Sequence, residues 1–307
     1  MKTAISPATC RPAFTTAATS TASATFQITP ANAEDVVVEF AKENTGVTYT
    51  GKNLKPTVLK ITLNDNDVSD QFDIIYPTDN INVGTGHVTL KPVVNNKNFV
   101  GTKDAEFQIL ARELQGTLKV YDENNKQYAI GNNGYLYDAN GDPVAFDFDG
   151  KEHTFKAQFT PDSEKMGSYA KLVTENDYEI TYIDNVYGLV GYICVVGKGN
   201  FAGTEKITNA NDGIVNSIVA GTAYKFNINK YELKKQHVTF GDAEYAGGAG
   251  AKPQVTVEVL GRTLTEGRDY ELVYTPQDTL TNGKTLTVTV KGIGAFIGSV
   301  EGKYAIV

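Results

Sequence analysis

The side chains with the greatest capacity for chemistry lie in one stretch, 121–145, and just beyond it. Four of them match positions 1, 3, 5 and 12 of a calcium-binding loop: Asp138, Asn140, Asp142 and Asp149. The sixth position holds Pro143 instead of glycine, and no helices are apparent on either side. Aromatic residues alternate around Asn140-Gly141, which favours a β-hairpin. We therefore expect a hairpin here, with calcium binding as the alternative.

Two tyrosines of the same stretch, Tyr135 and Tyr137, are the candidates for a ligand-binding site. The chain has 17 tyrosines and no tryptophan, and most of these tyrosines recur at equivalent positions of internal repeats, where packing explains them. Tyr135 and Tyr137 have no such counterpart. Since aromatic rings offer a flat apolar surface to a sugar, we expect any glycan or host surface protein to bind here.

Glycine-rich stretches raise the question of a phosphate site. Gly84 and Gly86 lie in 82–90, and Gly101 lies in a similar stretch at 95–102. A phosphate-binding loop needs glycines between a strand and the N-terminus of a helix, whereas 82–90 leads into a strand pattern. These glycines therefore predict turns or bulges in which φ is positive, and no ligand site.

Catalytic chemistry is not indicated elsewhere. The three histidines, His87, His153 and His237, have neither zinc spacing nor a nucleophile partner. Cys10 and Cys194 give no disulfide framework. Cys194 lies in an apolar strand pattern, so we expect a buried thiol. We predict no catalytic residues, no cofactor and no enzymatic activity.

Composition narrows the classes of partner. The chain of 307 residues is 41% hydrophobic and 21% charged, which is typical of a globular protein. Its net charge is −8 and it has no cluster of Lys and Arg, which argues against nucleic acid as a partner. It has no apolar run of about eighteen residues, so no membrane span is predicted.

Internal repeats organise the chain. A pattern of aromatic, aliphatic and Tyr residues at alternate positions recurs at 71–76, 177–182 and 269–274. A closing-strand pattern recurs at 107–109, 226–228 and 304–306, and a further Phe-Gln-Ile stands at 26–28. These patterns define unit 1 (28–110), unit 2 (111–228, with an inserted hairpin) and unit 3 (229–307). Residues 1–27 are interpreted as a Thr/Ala/Ser-rich linker and a leftover strand, as in a piece of a longer array.

The units predict an all-β fold. Units 1 and 3 have about 80 residues, are rich in Val, Ile, Thr, Tyr and Phe, and are interrupted by Gly, Asn or Pro. This favours three tandem immunoglobulin-like antiparallel β-sandwiches, the middle one with insertions. The segment 30–46 has an acidic start that would suit a helix, but its clustered valines favour a strand. No other segment predicts a helix.

Three motifs carry a family resemblance: Y-T-G-K-N-L-K-P-T-V at 49–58, N-I-N-V-G-T at 80–85 and G-K-G-N-F-A-G-T at 197–204. Together with the closing strands they resemble the tandem immunoglobulin-like repeats of large cell-surface proteins of Gram-positive gut bacteria. The resemblance covers roughly residues 26–307. Units 2 and 3 depart from it by lacking N-V-G-T.

The resemblance implies a non-enzymatic, extracellular segment of a longer multidomain chain, attached to the cell wall through regions outside this chain. Such a segment would act as a stalk or as an adhesive array. The alternative is a module that binds carbohydrate or a host glycoprotein through the insertion, 121–145. A third class, an accessory domain of a hydrolase, would require a catalytic domain elsewhere.

Overall fold

The structure is a computed structural model that describes residues 25–41, 46–187, 189–209, 213–244, 252–275 and 285–307. Strands hold 51% of the residues and helices 7%, so the predicted all-β class is confirmed. Within those ranges no helix is long and apolar enough to cross a membrane.

Unit 1 forms two sheets around an apolar core. Its strands are β1 (Ala31–Asn32), β2 (Val37–Phe40), β3 (Val47–Thr48), β4 (Val58–Leu63), β5 (Asn66–Asp67), β6 (Phe72–Ile75), β7 (Gly84–Pro92), β8 (Phe99–Val100) and β9 (Lys103–Leu110). One sheet has the order β2-β4-β5 and the other β3-β9-β7-β6, while β1 pairs in parallel with β8. Val38 and Phe40 of the first sheet share a cluster with Val88 and Phe107 of the second, because alternation along each strand places them on the inner faces.

Unit 2 has the same pairings except that of β4 with β5, and adds others. Its strands are β10 (Arg112–Glu113), β11 (Gly116–Tyr121), β12 (Ala129–Ile130), β13 (Leu136–Tyr137), β14 (Ala145–Asp147), β15 (Lys156–Pro161), β16 (Tyr178–Ile183), β17 (Val190–Gly197), β18 (Phe201–Ala202), β19 (Glu205–Asn209), β20 (Gly213–Ile218) and β21 (Tyr224–Asn229). β10 pairs in parallel with β18, β11 pairs with β15, and β14, β21, β17 and β16 are neighbours in a second sheet. The additions are the hairpins β12–β13 and β19–β20.

A short helix of unit 2 contradicts the expectation that no other segment is helical. α1 (Ser163–Met166) continues into a 3₁₀ helix (Gly167–Leu172) between β15 and β16. The sequence does contain an N-cap residue for this helix, Asp162, whose side chain accepts the N–H groups of Glu164 and Lys165. One capped turn is too short to show a helical period, which is why the pattern did not indicate it. Other 3₁₀ helices are Ala33–Asp35, Ser69–Gln71 and Lys235–His237.

Unit 3 has the pairings of unit 1 again. Its strands are β22 (Tyr231–Glu232), β23 (Val238–Phe240), β24 (Val255–Val259), β25 (Arg262–Thr263), β26 (Tyr270–Thr275), β27 (Thr285–Gly292), β28 (Phe296–Ile297) and β29 (Ser299–Ala305). The sheets are β23-β24-β25 and β26-β27-β29, and β22 pairs in parallel with β28. A single parallel bridge between Ala243 and Ile306 takes the place of the β3–β9 pair.

The residues that the repeat pattern selects are buried: Phe107 and Ile109 in β9, Phe226 and Ile228 in β21, Tyr304 in β29 and Ile306 directly after it. Gly86 and Gly191 lie opposite the aromatic residues of β9 and β21. A Cβ at these two positions would come within 2.5 and 2.4 Å of the rings. Gly86 therefore makes room for a ring inside β7, and its prediction as a turn or bulge residue was wrong. Gly84 and Gly101 do have positive φ angles, 137° and 78°.

The structure bears on two further predictions, the buried thiol of Cys194 and the leftover strand at 26–28. Cys194 is fully buried, and burial raises the pKa of its thiol to about 12, which confirms the predicted buried thiol. Residues 25–30 form no strand, and Phe26 and Ile28 are 86% and 83% exposed. The linker proper, 1–24 with Cys10, lies outside the described residues.

Candidate functional site

The insertion of unit 2 is a meander of three tight turns between β11 and β14. The chain turns at 122–126, at 131–134 between β12 and β13, and at 138–142. Leu136 is fully buried and Val144 is 8% exposed, and both belong to the main apolar cluster. The meander is therefore anchored to the core by side chains on both sides of its last turn. That last turn closes the predicted hairpin.

Two of these turns have the same geometry. In each, an aspartate, Asp122 or Asp138, accepts N–H groups from the second and fourth residues after it at 2.7–2.9 Å. A residue with positive φ, Asn125 or Gly141, stands at the third position. The Asp142 N–H makes the largest contribution to a lowered pKa of the Asp138 carboxyl. This carboxylate therefore stabilises its own turn.

The residues with calcium-like spacing fall in two places. Asp138, Asn140 and Asp142 share one turn. Asp149 lies beyond β14, where its Oδ1 accepts the Lys151 N–H at 2.9 Å and is 3.6 Å from His153 Nε2. In the part of the chain that the structure describes, no three His, Cys, Asp or Glu side chains come together as metal ligands would. Calcium binding stays a prediction, for which a calorimetric titration with Ca²⁺ is the test.

Tyr135 and Tyr137 are half-buried and stand on the same side of the hairpin, because they are two residues apart in extended chain. The Tyr137 hydroxyl accepts a hydrogen bond from Asn133 Nδ2 at 2.9 Å. Its ring lies against Gly131, where a Cβ would be 2.4 Å from it. Tyr135 forms a parallel bridge with Lys225, whose Nζ lies 5.5 Å from the ring centroid.

This arrangement brings two aromatic rings together with an amide and an ammonium group. Rings of this kind can stack on a sugar, and the polar groups can bond its hydroxyls. The two tyrosines were predicted from the sequence, whereas Asn133 and Lys225 were not. Lys225 is 92 residues from Asn133, and only the pairing of the turn with β21 brings them together.

No protein-family model matches this chain, and the comparisons with curated proteins and solved structures found no match either. What the chain does must therefore be inferred from its own residues and contacts.

Units 1 and 2 meet at junction 1, formed by Tyr49, Gly51, Asn82, Val83, Arg112, Tyr169, Leu172, Asn200 and Phe201. The Oδ1 atom of Asn200 accepts the Val83 N–H at 2.9 Å, and its Nδ2 donates to Asn82 Oδ1 at 3.0 Å. The motifs N-I-N-V-G-T and G-K-G-N-F-A-G-T thus contact each other across the junction. Both motifs were predicted from the sequence as marks of the repeat, with no indication that they meet.

Arg112 is the second polar residue of junction 1. Its Nε donates to the carbonyl of Tyr49 at 2.8 Å, and its guanidinium lies 3.5 Å from the ring centroid of Tyr169. The Tyr49 ring also meets Phe201 edge to face, with 5.5 Å between centroids. One arginine therefore contacts both units and covers an aromatic ring.

Units 2 and 3 meet at junction 2, formed by Phe148, Gly150, Tyr187, Tyr231, Leu260, Arg262 and Phe296. The Phe148 centroid is 5.2 Å from that of Phe296, 5.9 Å from Tyr231 and 5.5 Å from Tyr187. The Arg262 guanidinium lies 4.1 Å from the Tyr187 centroid. Junction 2 is therefore mainly aromatic.

Proposed function

We propose that units 1–3 are tandem immunoglobulin-like β-sandwich domains and act as a non-enzymatic stalk or adhesive array. The observation that carries this proposal is one cluster of buried apolar residues that runs through both junctions. It includes Tyr49 of unit 1, Phe201 of unit 2 and Phe296 of unit 3. Domains of one chain move relative to each other unless their interface is apolar and extensive, and an apolar cluster shared by the three units supports a fixed arrangement.

The connections between units support the same proposal. A single residue, Ala111, separates β9 from β10, and a single residue, Lys230, separates β21 from β22. Each connection leads straight from the closing strand of one unit into a strand of the next. A connection of one residue gives little freedom of rotation, so the three units form a semi-rigid rod.

Small-angle X-ray scattering of the full chain tests the rod. We expect one well-defined maximum dimension for the wild type and a broader distribution after three glycines are inserted next to Ala111. The matched control places the same insertion at Gly141, in an exposed turn of unit 2. Identical scattering from the wild type and the Ala111 insertion would refute the rod.

The cellular location of the protein is part of the same proposal and is based on the family resemblance described above. The array is extracellular, is part of a longer surface protein of a Gram-positive bacterium and holds other regions away from the wall. Antibodies against this chain should label intact cells, and external protease should remove the label. Labelling only after cell lysis would exclude this location.

The second candidate function is binding of a glycan or a host glycoprotein at the insertion. The observation that favours it is the pair of half-buried rings, Tyr135 and Tyr137, with Lys225 beside them. A glycan array should show a signal that Tyr135→Ala and Tyr137→Ala abolish. Tyr121→Ala is the matched control, because Tyr121 precedes the turn of Asp122 as Tyr137 precedes that of Asp138. No signal, or a signal unchanged in these variants, would exclude the site.

A further inference from the structure

The insertion of unit 2 contains three turns with the same main-chain geometry: turn 1 (122–126), turn 2 (131–134) and turn 3 (138–142). In each, the third residue is an asparagine, and the N–H of the next residue donates to the carbonyl of the first at 3.1, 2.8 and 3.2 Å. That next residue has a positive φ, of 63°, 80° and 86°. Differences in reactivity among the three asparagines must therefore come from their side chains and neighbours. They are Asn124, Asn133 and Asn140.

An asparagine that precedes a glycine can react with its own main chain. The nitrogen of the glycine attacks the Cγ atom of the asparagine, and the approach is open because glycine has no Cβ. Since the reaction is intramolecular, its rate depends on how freely the side-chain amide and this nitrogen can meet. Of the three Asn-Gly pairs of the chain, two lie in turns 2 and 3, and Asn282-Gly283 lies outside the described residues.

Turn 3 holds neither reacting group firmly. Asn140 and Gly141 are both exposed. The Nδ2 atom of Asn140 lies 3.4 Å from Asp138 Oδ2, which is too long for a strong hydrogen bond. The Gly141 N–H donates at 3.2 Å, the longest of the three corresponding bonds. A Cβ at Gly141 would have no atom within 4 Å, so no described segment packs against this end of the hairpin.

Turn 2 holds both groups. The Asn133 side chain donates from Nδ2 to the Tyr137 hydroxyl at 2.9 Å and accepts the Tyr135 N–H on Oδ1 at 3.1 Å. The Gly134 N–H donates at 2.8 Å. The Gly134 carbonyl accepts the Lys225 N–H at 2.8 Å, which fastens the turn to β21. Asn133 is therefore fixed at both ends of its amide, although it is exposed.

Turn 1 lacks the glycine. Asn124 precedes Asn125, whose Cβ stands beside the main-chain nitrogen that would attack. The Oδ1 atom of Asn125 also accepts a hydrogen bond from Lys156 Nζ at 3.0 Å, which ties the turn to β15. Turn 1 is thus the hindered counterpart of turn 3. It also shows that an asparagine can occupy the position of Gly141 with a positive φ.

We propose that Asn140, in contrast to Asn133, is a site of spontaneous deamidation. The Gly141 nitrogen loses its proton to solvent hydroxide and attacks Asn140 Cγ. A bond forms between these two atoms, the bond from Cγ to Nδ2 breaks, and Nδ2 takes up a proton and leaves as ammonia. Water then adds to either carbonyl carbon of the five-membered succinimide and opens it to aspartate or isoaspartate. The net reaction consumes one water molecule and releases one ammonia, without an oxidant or reductant.

The modification changes the charge and the main chain of turn 3. Asp138 and Asp142 belong to this turn, so either product adds a third carboxylate to it. Isoaspartate also lengthens the main chain by one carbon atom after position 140. The Asp138 carboxylate, which accepts the N–H groups of Asn140 and Asp142, then no longer fits both. Leu136 and Val144 are buried on either side of the turn, so we expect the change to stay local.

The test incubates the full chain in mildly alkaline buffer and follows each asparagine by peptide mapping with mass spectrometry. Protein-isoaspartate methyltransferase then labels the isoaspartate. We expect Asn140 to react at least about tenfold faster than Asn133 or Asn124, because the freedom of the reacting groups to meet controls such rates. The same measurement in urea, where the turns are lost, should bring Asn133 up to the rate of Asn140. This arm separates the effect of the fold from that of the Asn-Gly sequence.

Two variants test the contacts, with circular dichroism as the check that each is folded. Gly141→Asn gives turn 3 the residue that turn 1 has at positive φ. It should slow the reaction of Asn140 at least about tenfold, because the attacking nitrogen becomes hindered. Tyr137→Phe removes the hydroxyl that holds Asn133 Nδ2. It should accelerate Asn133 severalfold and leave Asn140 unchanged.

Four outcomes would overturn the proposal. Absence of product at Asn140 in the folded chain would show that turn 3 protects it. Equal rates for Asn133 and Asn140 in the folded chain, or an unchanged Asn133 in Tyr137→Phe, would remove the contrast between turns 2 and 3. An unchanged rate in Gly141→Asn would exclude the Gly141 nitrogen as the attacking group. None of these outcomes bears on the rod formed by units 1–3.

Discussion

Junctions 1 and 2 join equivalent parts of neighbouring units with different chemistry. At junction 1, Tyr49, which follows β3, meets Phe201 of unit 2. At junction 2, Phe148, which follows β14, meets Phe296 of unit 3. Both phenylalanines are buried. Junction 1 adds hydrogen bonds of Asn200 with Asn82 and Val83. Junction 2 instead surrounds Phe148 with three rings.

The substitutions at equivalent positions explain this difference. Where unit 1 has Asn82, unit 2 has Tyr187, and where unit 2 has Asn200, unit 3 has Ala295. The polar pair is thus replaced on both sides at once, which avoids leaving one amide without its partner. A directional hydrogen bond fixes orientation more than it adds stability, whereas packed rings add stability through buried area. We therefore expect junction 2 to be the stronger and junction 1 to be the more precisely oriented.

The largest expected effect is that of Phe148→Ala at junction 2. Phe148 is 6% exposed and contacts three rings, and truncating a buried phenylalanine costs about 3–5 kcal/mol. Urea unfolding followed by circular dichroism should show this loss. Tyr49→Ala, which removes one ring contact at junction 1, should cost less. An equal or larger loss for Tyr49→Ala would contradict the difference between the junctions.

Acid should weaken unit 3, and with it junction 2, through Asp269. This side chain is 3% exposed and accepts hydrogen bonds from Arg268 and from the Thr265 N–H. Burial raises the pKa of its carboxyl, but these bonds and the charges of Arg268 and Arg262 outweigh it, so the pKa is lowered. The resulting stability is present above the unfolded pKa of about 3.9 and is lost as pH falls through the folded pKa.

Asp269→Asn tests this linkage. At pH 7 it should cost about 2 kcal/mol, because a charge-assisted hydrogen bond is lost at a buried site. At a pH below the folded pKa the variant and the wild type should have similar unfolding free energies. Hydrogen exchange of β26–β29 measures the effect within unit 3. A loss that is the same at both pH values would show that the charge of Asp269 does not stabilise unit 3.

A smaller effect is expected for Asn200→Ala at junction 1. The variant loses two exposed hydrogen bonds, which is worth about 1 kcal/mol, and the orientation of unit 1 relative to unit 2 should become less defined. Distances between spin labels at Asp73 and Lys206, in a Cys10→Ser background, should spread over a wider range.

The matched control for that variant is Asn98→Ala. Asn98 is the equivalent of Asn200 in unit 1, and its Nδ2 donates to Gln71 within the same unit. Asn98→Ala should leave the distances between the spin labels unchanged. If Asn200→Ala also leaves them unchanged, the amide contact does not orient the units.

The smallest effect is that of Arg262→Ala, which removes the cation above Tyr187. Because Arg262 is exposed, the contact is worth about 0.5–1 kcal/mol. Arg262→Lys should retain part of it. If Arg262→Ala costs as much as Phe148→Ala in urea unfolding, junction 2 depends on charge and its description as aromatic is wrong.

Several features of the fold were predictable because they depend on local patterns. The clustered valines of 30–46 indicated strand β2, and the apolar run around Cys194 indicated a buried strand. The hairpin around Asn140-Gly141 followed from turn chemistry. Helix α1 was missed because a single turn capped by Asp162 leaves no periodic signal.

The candidate site was predictable only in part. The sequence singled out Tyr135 and Tyr137 because they break the repeat, and it offered Asp138 as a calcium ligand. Lys225 could not be assigned to the same site, since it joins the hairpin only through a bridge between distant segments. The Asp138 carboxylate accepts N–H groups of its own turn, a role that the spacing of carboxylates does not reveal.

The sequence alone determined the all-β class and the inward-facing residues of the closing strands, because alternation acts over a few residues. Only the tertiary structure decided which motifs meet. Asn82 and Asn200 are 118 residues apart, and no local property links them.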